Sequence, residues 1–414
     1  MFMNIKIEGY DNLETIKTRI DEVDKLVVIP SRNAAETIAY VVINSFKGLE
    51  KITSNGAVIV IDGLSEDSTV EIVNALKKKF SNLFIIPNIL SPGKGGAMKT
   101  GVHIADALNA NILVFVDSDL RSISPEWIIL LAKGAEKQGY CTPYYIRDRF
   151  DATITNFVAR PLTTTAYLID LSQPIGGDFG LSKNFIKYLS REAPWHNCYW
   201  NLLFGTDIFI THTALYTGIK PAEAYLGSKI HESKDPGKSL KNMFIEVTGS
   251  LFTALIEYAE AWTKIKEKQV LKPEIIKEPE PPFIPPPRII VDKEYSLKTF
   301  KKISEEPHKS IIKKFSKETM NILEKALTNN KGLSGSEWAA ILIEAYKLFI
   351  KTPRYFLKKA LLDTLYHLWQ GRLYRYYQEA SDLDEHEVRE LLEEQVHKVR
   401  ELRSLMLEET LKYI

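Results

Sequence analysis

A chain of 414 residues, 45% hydrophobic and 26% charged, has an ordinary globular composition and enough length for two folded domains. Its 54 Lys and Arg offset 53 Asp and Glu, which leaves no basic footprint for a nucleic-acid backbone or an anionic membrane. Cys141 and Cys198 have neither a disulfide framework nor a metal-ligand spacing, so a reducing compartment fits.

The first residues, Met1-Phe2-Met3-Asn4-Ile5-Lys6, lack the basic flank and apolar run of a signal peptide. No stretch approaches the ~18 apolar residues of a membrane span. A cytoplasmic protein without membrane or nucleic-acid partners is expected. After an N-terminal extension over 1–24, Lys25-Leu26-Val27-Val28-Ile29-Pro30 reads as a buried strand, with a helix near 36–46. Val58-Ile59-Val60-Ile61-Asp62 is a second strand and Asp67-Ser68-Thr69 opens a helix to about Phe80. Phe84-Ile85-Ile86-Pro87 is a third, followed by a helix from Lys94 to Leu108, and Ile112-Leu113-Val114-Phe115-Val116 is a fourth. Continuous apolar strands alternating with helices predict a mostly parallel sheet covered on both faces, with ligands bound at the strands' carboxyl ends.

An α/β domain is thus expected over 25–265, where Leu240, Met243, Phe244, Val247, Leu251 and Leu255 recur at helical spacing near its end. Residues 266–297 hold seven of the nineteen prolines and predict an extended linker or arm. From 298 to 414 the pattern is helical, over roughly 305–329, 335–350, 353–379 and 383–412, with starts at Ser334-Gly335-Ser336-Glu337 and Ser381-Asp382-Leu383-Asp384. The aromatic residues Trp338, Trp369, Tyr374, Tyr376 and Tyr377 in that region read as core.

Asp117-Ser118-Asp119 directly follows the fourth strand. Two carboxylates at i and i+2 there suit a hard divalent cation on a diphosphate, or equally an Asp-stabilised turn. Pro92-Gly93-Lys94-Gly95-Gly96 sits where a strand passes into a helix. Free N–H groups, permissive glycines and the Lys94 ammonium suit a phosphate, although the spacing is neither a dinucleotide fingerprint nor a Walker loop. Gln173-Pro174-Ile175-Gly176-Gly177-Asp178 allows a tight bend close to a ligand, or is a plain turn. Asp207 is a single acid in an apolar segment, suited to a sugar hydroxyl or a helix cap. His231 stands in a polar loop without a zinc-type partner spacing.

Taken in order, Val27-Val28-Ile29-Pro30 with Asn33, Pro92-Gly93-Lys94-Gly95, Val116-Asp117-Ser118-Asp119, Gln173-Pro174-Ile175-Gly176-Gly177 and His231 resemble the retaining GT-A glycosyltransferases that make glycerate-based compatible solutes. These are the glucosyl-3-phosphoglycerate, mannosylglycerate and glucosylglycerate synthases. Val158-Ala159-Arg160-Pro161-Leu162 also resembles the phosphoglycerate enzymes, and the likeness covers roughly 25–260. It implies a nucleoside diphosphate sugar donor and Mg²⁺ or Mn²⁺ held by Asp119 and His231. Lys94 would contact the donor diphosphate, and Asp117 with Ser118 the nucleotide. Pro30, Ser31, Arg32 and Ser65 would line the base, and Asp207 would bond the sugar hydroxyls. Ile175, Gly176 and Gly177 would lie beside the anomeric carbon. Ala34 stands where the family often has a base-reading glutamate, which leaves the nucleotide open.

The phosphoglycerate enzymes resemble Gly-Arg-Val-Thr-Glu-Leu-Val-Ala-Arg-Pro-Leu here, with the arginine gripping the acceptor phosphate. This chain has Thr153 at that position. Losing that charge-assisted bond removes about 1.5–3 kcal/mol of acceptor binding. Asp151-Ala152-Thr153-Ile154-Thr155 instead resembles the mannosylglycerate pattern. The expected acceptor is therefore D-glycerate, bound by Thr153, Thr155 and Arg147, with 3-phosphoglycerate as the alternative and Arg149 also within the loop. Glucose against mannose stays open. A homo-oligomer built through the C-terminal helices is expected, and a non-catalytic nucleotide-sugar sensor is the reading from another class.

Overall fold

The computed structural model describes residues 7–20, 22–89, 91–231, 235–266 and 269–413. Met1–Lys6 and the Glu232-Ser233-Lys234 stretch after His231 lie outside the described residues.

The strands are β1 (Lys25–Ser31), β2 (Gly56–Asp62), β3 (Leu83–Pro87), β4 (Ile112–Phe115), β5 (Tyr140–Ile146), β6 (Phe179–Ser182), β7 (Ala222–Ser228) and β8 (Glu274–Ile276). The helices of the first half are α1 (Leu13–Arg19), α2 (Ile38–Leu49), α3 (Thr69–Leu76), α4 (Gly93–Ala107), α5 (Pro125–Gln138), α6 (Arg160–Tyr167), α7 (Lys183–Arg191) and α8 (Thr206–Tyr216). Then come α9 (Pro236–Ser239), α10 (Lys241–Glu257), α11 (Ala259–Trp262), α12 (Lys293–Lys301), α13 (His308–Ile312), α14 (Lys317–Thr328), α15 (Gly335–Lys351), α16 (Tyr355–Glu379), α17 (Glu385–Glu401) and α18 (Arg403–Leu411).

The chain forms two compact units that interleave in sequence. Met1–Ile146, Leu171–Glu232 and Pro273–Pro286 make a sheet unit, and Arg147–Asp170, Ser233–Lys272 and Pro287–Ile414 make a helical one. A single cut near 265 does not separate them. The segment carrying α6 and the segment carrying α10 both belong to the helical unit, because their apolar faces are packed among helices.

The sheet unit has the strand order β3-β2-β1-β4-β6-β5-β7-β8. Strand β6 is antiparallel to β4 and β5, and the other pairings are parallel. Side chains alternate between two cores, as the strand period requires. Leu26, Val28, Ile59 and Ile61 join Met98 and Val102 of α4 and Phe209 of α8. Val27, Ile29, Val58 and Val60 join Val41 of α2 and Ile128 of α5. The N-terminal extension belongs to this unit, since Ile16 of α1 is fully buried in the first core and Asp11 N–H donates to the Ile85 carbonyl at 2.7 Å. Part of the proline-rich arm is sheet as well. Ala222 to Ala224 of β7 pair with Glu274 to Ile276 of β8, an edge position where neighbouring prolines cost no ladder bond.

In the helical unit Trp338, Trp369, Tyr376 and Tyr377 are fully buried and Tyr374 nearly so, the core role their spacing predicts. Ser334 and Asp384 each close a reciprocal capping box, with Glu337 and Glu387. The helix expected over 305–329 is instead two, because the Ser316 side chain accepts from Thr319 N–H and starts α14 afresh. The last expected helix likewise breaks at Leu402 into α17 and α18.

Candidate functional site

The carboxyl edge of the sheet follows from topology. Because β6 runs against β4, its first residue Phe179 lies level with Phe115, the last of β4. Gly176-Gly177-Asp178, just before β6, therefore meets Asp117, just after β4. Strand β5 ends at Ile146 and is in parallel register with β7, which ends at Ser228, so Tyr145 and Lys229 arrive at the same edge.

Two lysines and three aspartates interlock there. Lys94 Nζ, on the first turn of α4, lies 2.8 Å from Asp117 Oδ1 and 3.2 Å from Asp207 Oδ2 at the start of α8. Lys229 Nζ lies 2.7 Å from Asp117 Oδ2, 2.9 Å from Asp178 Oδ2 and 2.7 Å from the Gly176 carbonyl. Asp178 Oδ1 accepts from Asp117 N–H at 2.8 Å, and Tyr145 donates its hydroxyl to Asp178 Oδ2. Burial opposes ionisation of Asp117, but Lys229 and Lys94 outweigh it and hold that carboxyl well below its usual range. Burial pushes Asp178 and Asp207 upward, the charge of Asp117 adds to this, and Lys229 and Lys94 offset only part. Burial also disfavours the Lys94 cation, yet Asp117 and Asp207 keep it above its ordinary range. Asp207 Oδ1 is buried without a hydrogen-bond partner among the described residues, an exception to the rule that buried polar atoms are paired.

The glycines have steric reasons. Gly177 has φ +86°, and an added Cβ would stand 2.3 Å from Asp117 Oδ2. At Gly176 it would meet Pro143 Cγ at 2.1 Å. Gly95 would collide with the Asn201 carbonyl at 2.2 Å, so the glycines around Lys94 serve the docking of α4 on the 199–202 turn. That packing sets Lys94 on the first helical turn.

Beside this cluster, Asp119 is exposed, and its side chain makes no hydrogen bond or ion pair among the described residues. Ile230 is bonded both ways to the turn that follows Asp119: its carbonyl accepts from Arg121 N–H at 2.8 Å and its N–H donates to Ser122 Oγ at 2.9 Å. His231 is thereby tied to the Asp119 turn. The two tied turns thus carry a carboxylate and an imidazole, residue types that suit a divalent cation.

At the β1 and β2 ends, Ser65 Oγ donates to Asp62 Oδ1 at 2.5 Å and accepts from Asn33 N–H at 2.8 Å. Asn33 Oδ1 accepts from Glu66 N–H at 2.8 Å. Pro30 is buried, Arg32 is exposed, and Ser31 Oγ is buried with no partner among the described residues. The Ser118 carbonyl accepts from Thr37 at 2.7 Å.

Thr153, Thr155 and Arg147 belong to the helical unit. Thr153 is fully buried, and its hydroxyl has no partner among the described residues. Arg147 pairs with Asp151 at 2.8 Å, and Arg149 donates to the Ala380 and Leu383 carbonyls. Arg160 grips Asp170 through Nε and Nη2, at 2.7 and 2.8 Å.

The motif reading misses Lys229, Asp178 and Tyr145 as members of the cluster. Asp178 closes the flagged Gln173 to Asp178 motif without being given a role there, and Lys229 lies two residues before His231. The available signal was a strand end, but Ala222-Glu223-Ala224-Tyr225-Leu226-Gly227-Ser228 is too polar to read as a buried strand. Glu223 is paid for only in three dimensions, where its carboxylate accepts from Ser172 N–H at 2.7 Å.

The model of the family "Glycosyl transferase family 2" matches residues 26–189. A glucosyl-3-phosphoglycerate synthase of Petrotoga mobilis is 26% identical over 294 residues, which are 65% of this chain and 85% of that protein. An uncharacterised protein of Methanocaldococcus jannaschii is 33% identical over 150 residues, 35% of this chain and 62% of that one. Among solved structures, the Mycobacterium tuberculosis glucosyl-3-phosphoglycerate synthase in complex with Mn²⁺, UDP and glucosyl-3-phosphoglycerate has a TM-score of 0.45 and 21% identity, covering 62% of this chain and 86% of that one. The same enzyme with Mg²⁺ and UDP gives a TM-score of 0.45 and 20% identity, over 60% and 84% of the two chains. Among the described residues no helix is long and apolar enough to cross a membrane. Residues 26–189, the part that matches that family model, run from β1 through β6 of the mixed sheet, with helices packed on both of its faces.

Proposed function

We propose that the chain transfers a hexose, with retained α configuration, from a nucleoside diphosphate sugar to the 2-hydroxyl of D-glycerate. The observation that carries this reading is the buried acceptor Asp207 Oδ1 beside Lys94 and Asp117, at the sheet edge where the exposed Asp119 also stands. Asp119 and His231 would hold Mg²⁺ or Mn²⁺, which when bound offsets negative charge on the leaving diphosphate. Lys94 supplies a second positive charge to that group, and Asp207 accepts from the sugar hydroxyls. Lys229 neutralises Asp117 and Asp178 and, through the Gly176 carbonyl, fixes the bend under the reacting carbon. The acceptor oxygen bonds to the anomeric carbon on the face from which the phosphate oxygen leaves, and its proton passes to that leaving oxygen. Pro30, Ser31, Arg32, Ser65 and Ser118 line the nucleotide in this reading, and Ile175 and Gly177 flank the sugar.

The acceptor reading rests on the 147–155 segment. Thr153 replaces the family's phosphate-gripping arginine, and Arg147 and Arg149 are both engaged, which favours an uncharged C3 hydroxyl over a phosphate. The likeness to the Petrotoga synthase over 85% of its length supports the second reading, 3-phosphoglycerate as acceptor.

A matrix of glucose and mannose donors on UDP, GDP and ADP, against D-glycerate and 3-phosphoglycerate, with and without Mg²⁺ or Mn²⁺, tests both. Metal-dependent release of nucleotide with D-glycerate is expected. Turnover with 3-phosphoglycerate alone selects the second reading. Donor binding without any transfer selects a sensor and overturns both.

A further inference from the structure

We propose that His308, Asp363 and His367 bind a divalent cation of the zinc class within the helical unit, apart from the sugar-donor chemistry. Asp363 and His367 are one turn apart on α16, a spacing that puts both on the same face. His308 opens α13 and presents its ring to them, 4.0 Å from the His367 ring between centroids. The three ligand atoms lie within 4.8 Å of one another. Both histidines are buried and Asp363 is half-buried, so the group is not a solvated surface cluster.

Hydrogen bonding fixes the tautomers. His367 Nδ1 is 2.7 Å from the Asp363 carbonyl oxygen, which can only accept, so Nδ1 carries the hydrogen. His308 Nδ1 is 3.1 Å from Thr364 Oγ1, whose own hydrogen is donated to the Ala360 carbonyl at 3.0 Å. His308 therefore donates from Nδ1 too. Both rings then turn an Nε2 lone pair outward from these bonds, the arrangement that outer-shell partners impose on metal-ligating histidines. His308 Nε2 stands 3.9 Å from Asp363 Oδ2, too far for a hydrogen bond, leaving two acceptors facing each other. A cation between them resolves this.

Asp363 Oδ1 is held by the half-exposed Lys241 ammonium at 2.6 Å, which orients the carboxylate and leaves Oδ2 for the ion. That ammonium also weakens the site by like-charge repulsion. Two imidazoles and one carboxylate are the donor set of zinc and its neighbours, with one position left for water. Ligands about 2.1 Å from zinc stand roughly 3.4 Å apart in a tetrahedron, so binding draws the side chains inward by about 1 Å. The ion would clip α13 to α16, and its binding energy would add to the stability of that unit.

The experiment uses the full chain stripped with a chelator and the Asp119→Ala/His231→Ala variant, titrated with Co²⁺ without nucleotide and read by visible absorption. One equivalent, displaced by Zn²⁺ and accompanied by a higher unfolding midpoint, is expected in that variant. Adding His367→Gln, or separately Asp363→Asn, should weaken binding at least tenfold with unchanged far-ultraviolet dichroism. No Co²⁺ in the Asp119→Ala/His231→Ala variant overturns the proposal, as does undiminished binding after either cluster substitution. If both cluster variants unfold, an unfolding midpoint of the Asp119→Ala/His231→Ala protein that ignores Zn²⁺ overturns it.

Discussion

Lys229 Nζ stands 2.7 Å from Asp117 Oδ2, joining the residue after β7 to the turn after β4 across 112 positions of sequence. The same ammonium reaches Asp178 at 2.9 Å, so one buried lysine balances two carboxylates at the sheet edge.

Replacing that lysine should be costly. Lys229→Met leaves Asp117 and Asp178 without a cation they share, and breaking a buried pair from one side typically costs about 3–5 kcal/mol. Urea unfolding at pH 7 should register the loss, and Asp178→Asn in the same chain should recover part of it. A loss below about 1 kcal/mol would contradict the balance described.

Gly177→Ala should fold and turn over poorly. Its φ of +86° disfavours a side chain, and the methyl would stand 2.3 Å from Asp117 Oδ2. Displacing Asp117 by about 1 Å misplaces the groups that depend on it, on the order of 10²-fold in turnover. Steady-state rates with native-like circular dichroism would check this.

Asp119→Ala and His231→Ala test the proposed metal ligands directly. Each should lower turnover by on the order of 10²-fold or more at saturating Mn²⁺, the scale of lost transition-state charge stabilisation. Near-native turnover in both variants would remove the metal assignment.

Acid should destabilise the sheet unit through His212. Burial lowers its imidazole from 6.5 to about 3. The folded state thus binds fewer protons than the unfolded one across that window. The stability this residue supports is complete above 6.5 and is lost as pH falls toward 3, at roughly 1.4 kcal/mol per pH unit. Asp178 and Asp207, held above their ordinary values mainly by burial, act oppositely: their contribution falls as pH rises from the ordinary carboxylate range toward their folded values. Unfolding midpoints at pH 7, 5.5 and 4.5 should decline less steeply in His212→Gln than in the parent.

Ser334→Ala should cost about 1 kcal/mol, since it removes one side of the capping box with Glu337. Thermal unfolding reads this directly, and Glu337→Ala should not add its full effect.

Much of this architecture is legible locally. The strands β1 to β4 are apolar runs buried on both faces, so continuous hydrophobicity identifies them without any partner. Asp117 and Lys94 stand where a strand ends and a helix begins, and the sequence marks both places. Ser334 declares its helix start because a cap and its box lie within four residues.

Other features have no local signature. Strand β7 contains Glu223, and β8 lies among prolines, so each becomes a strand only by finding its neighbour in the sheet. The sequence by itself determined an α/β sheet with a polar carboxyl edge and a helical remainder, because helix and strand periods are local properties of side chains. Only the tertiary structure decided that Lys229, Asp178 and Tyr145 join Asp117. It also decided that α6 and α10 belong with the C-terminal helices. Ion pairs and burial depend on which distant segments meet, and long-range packing sets that.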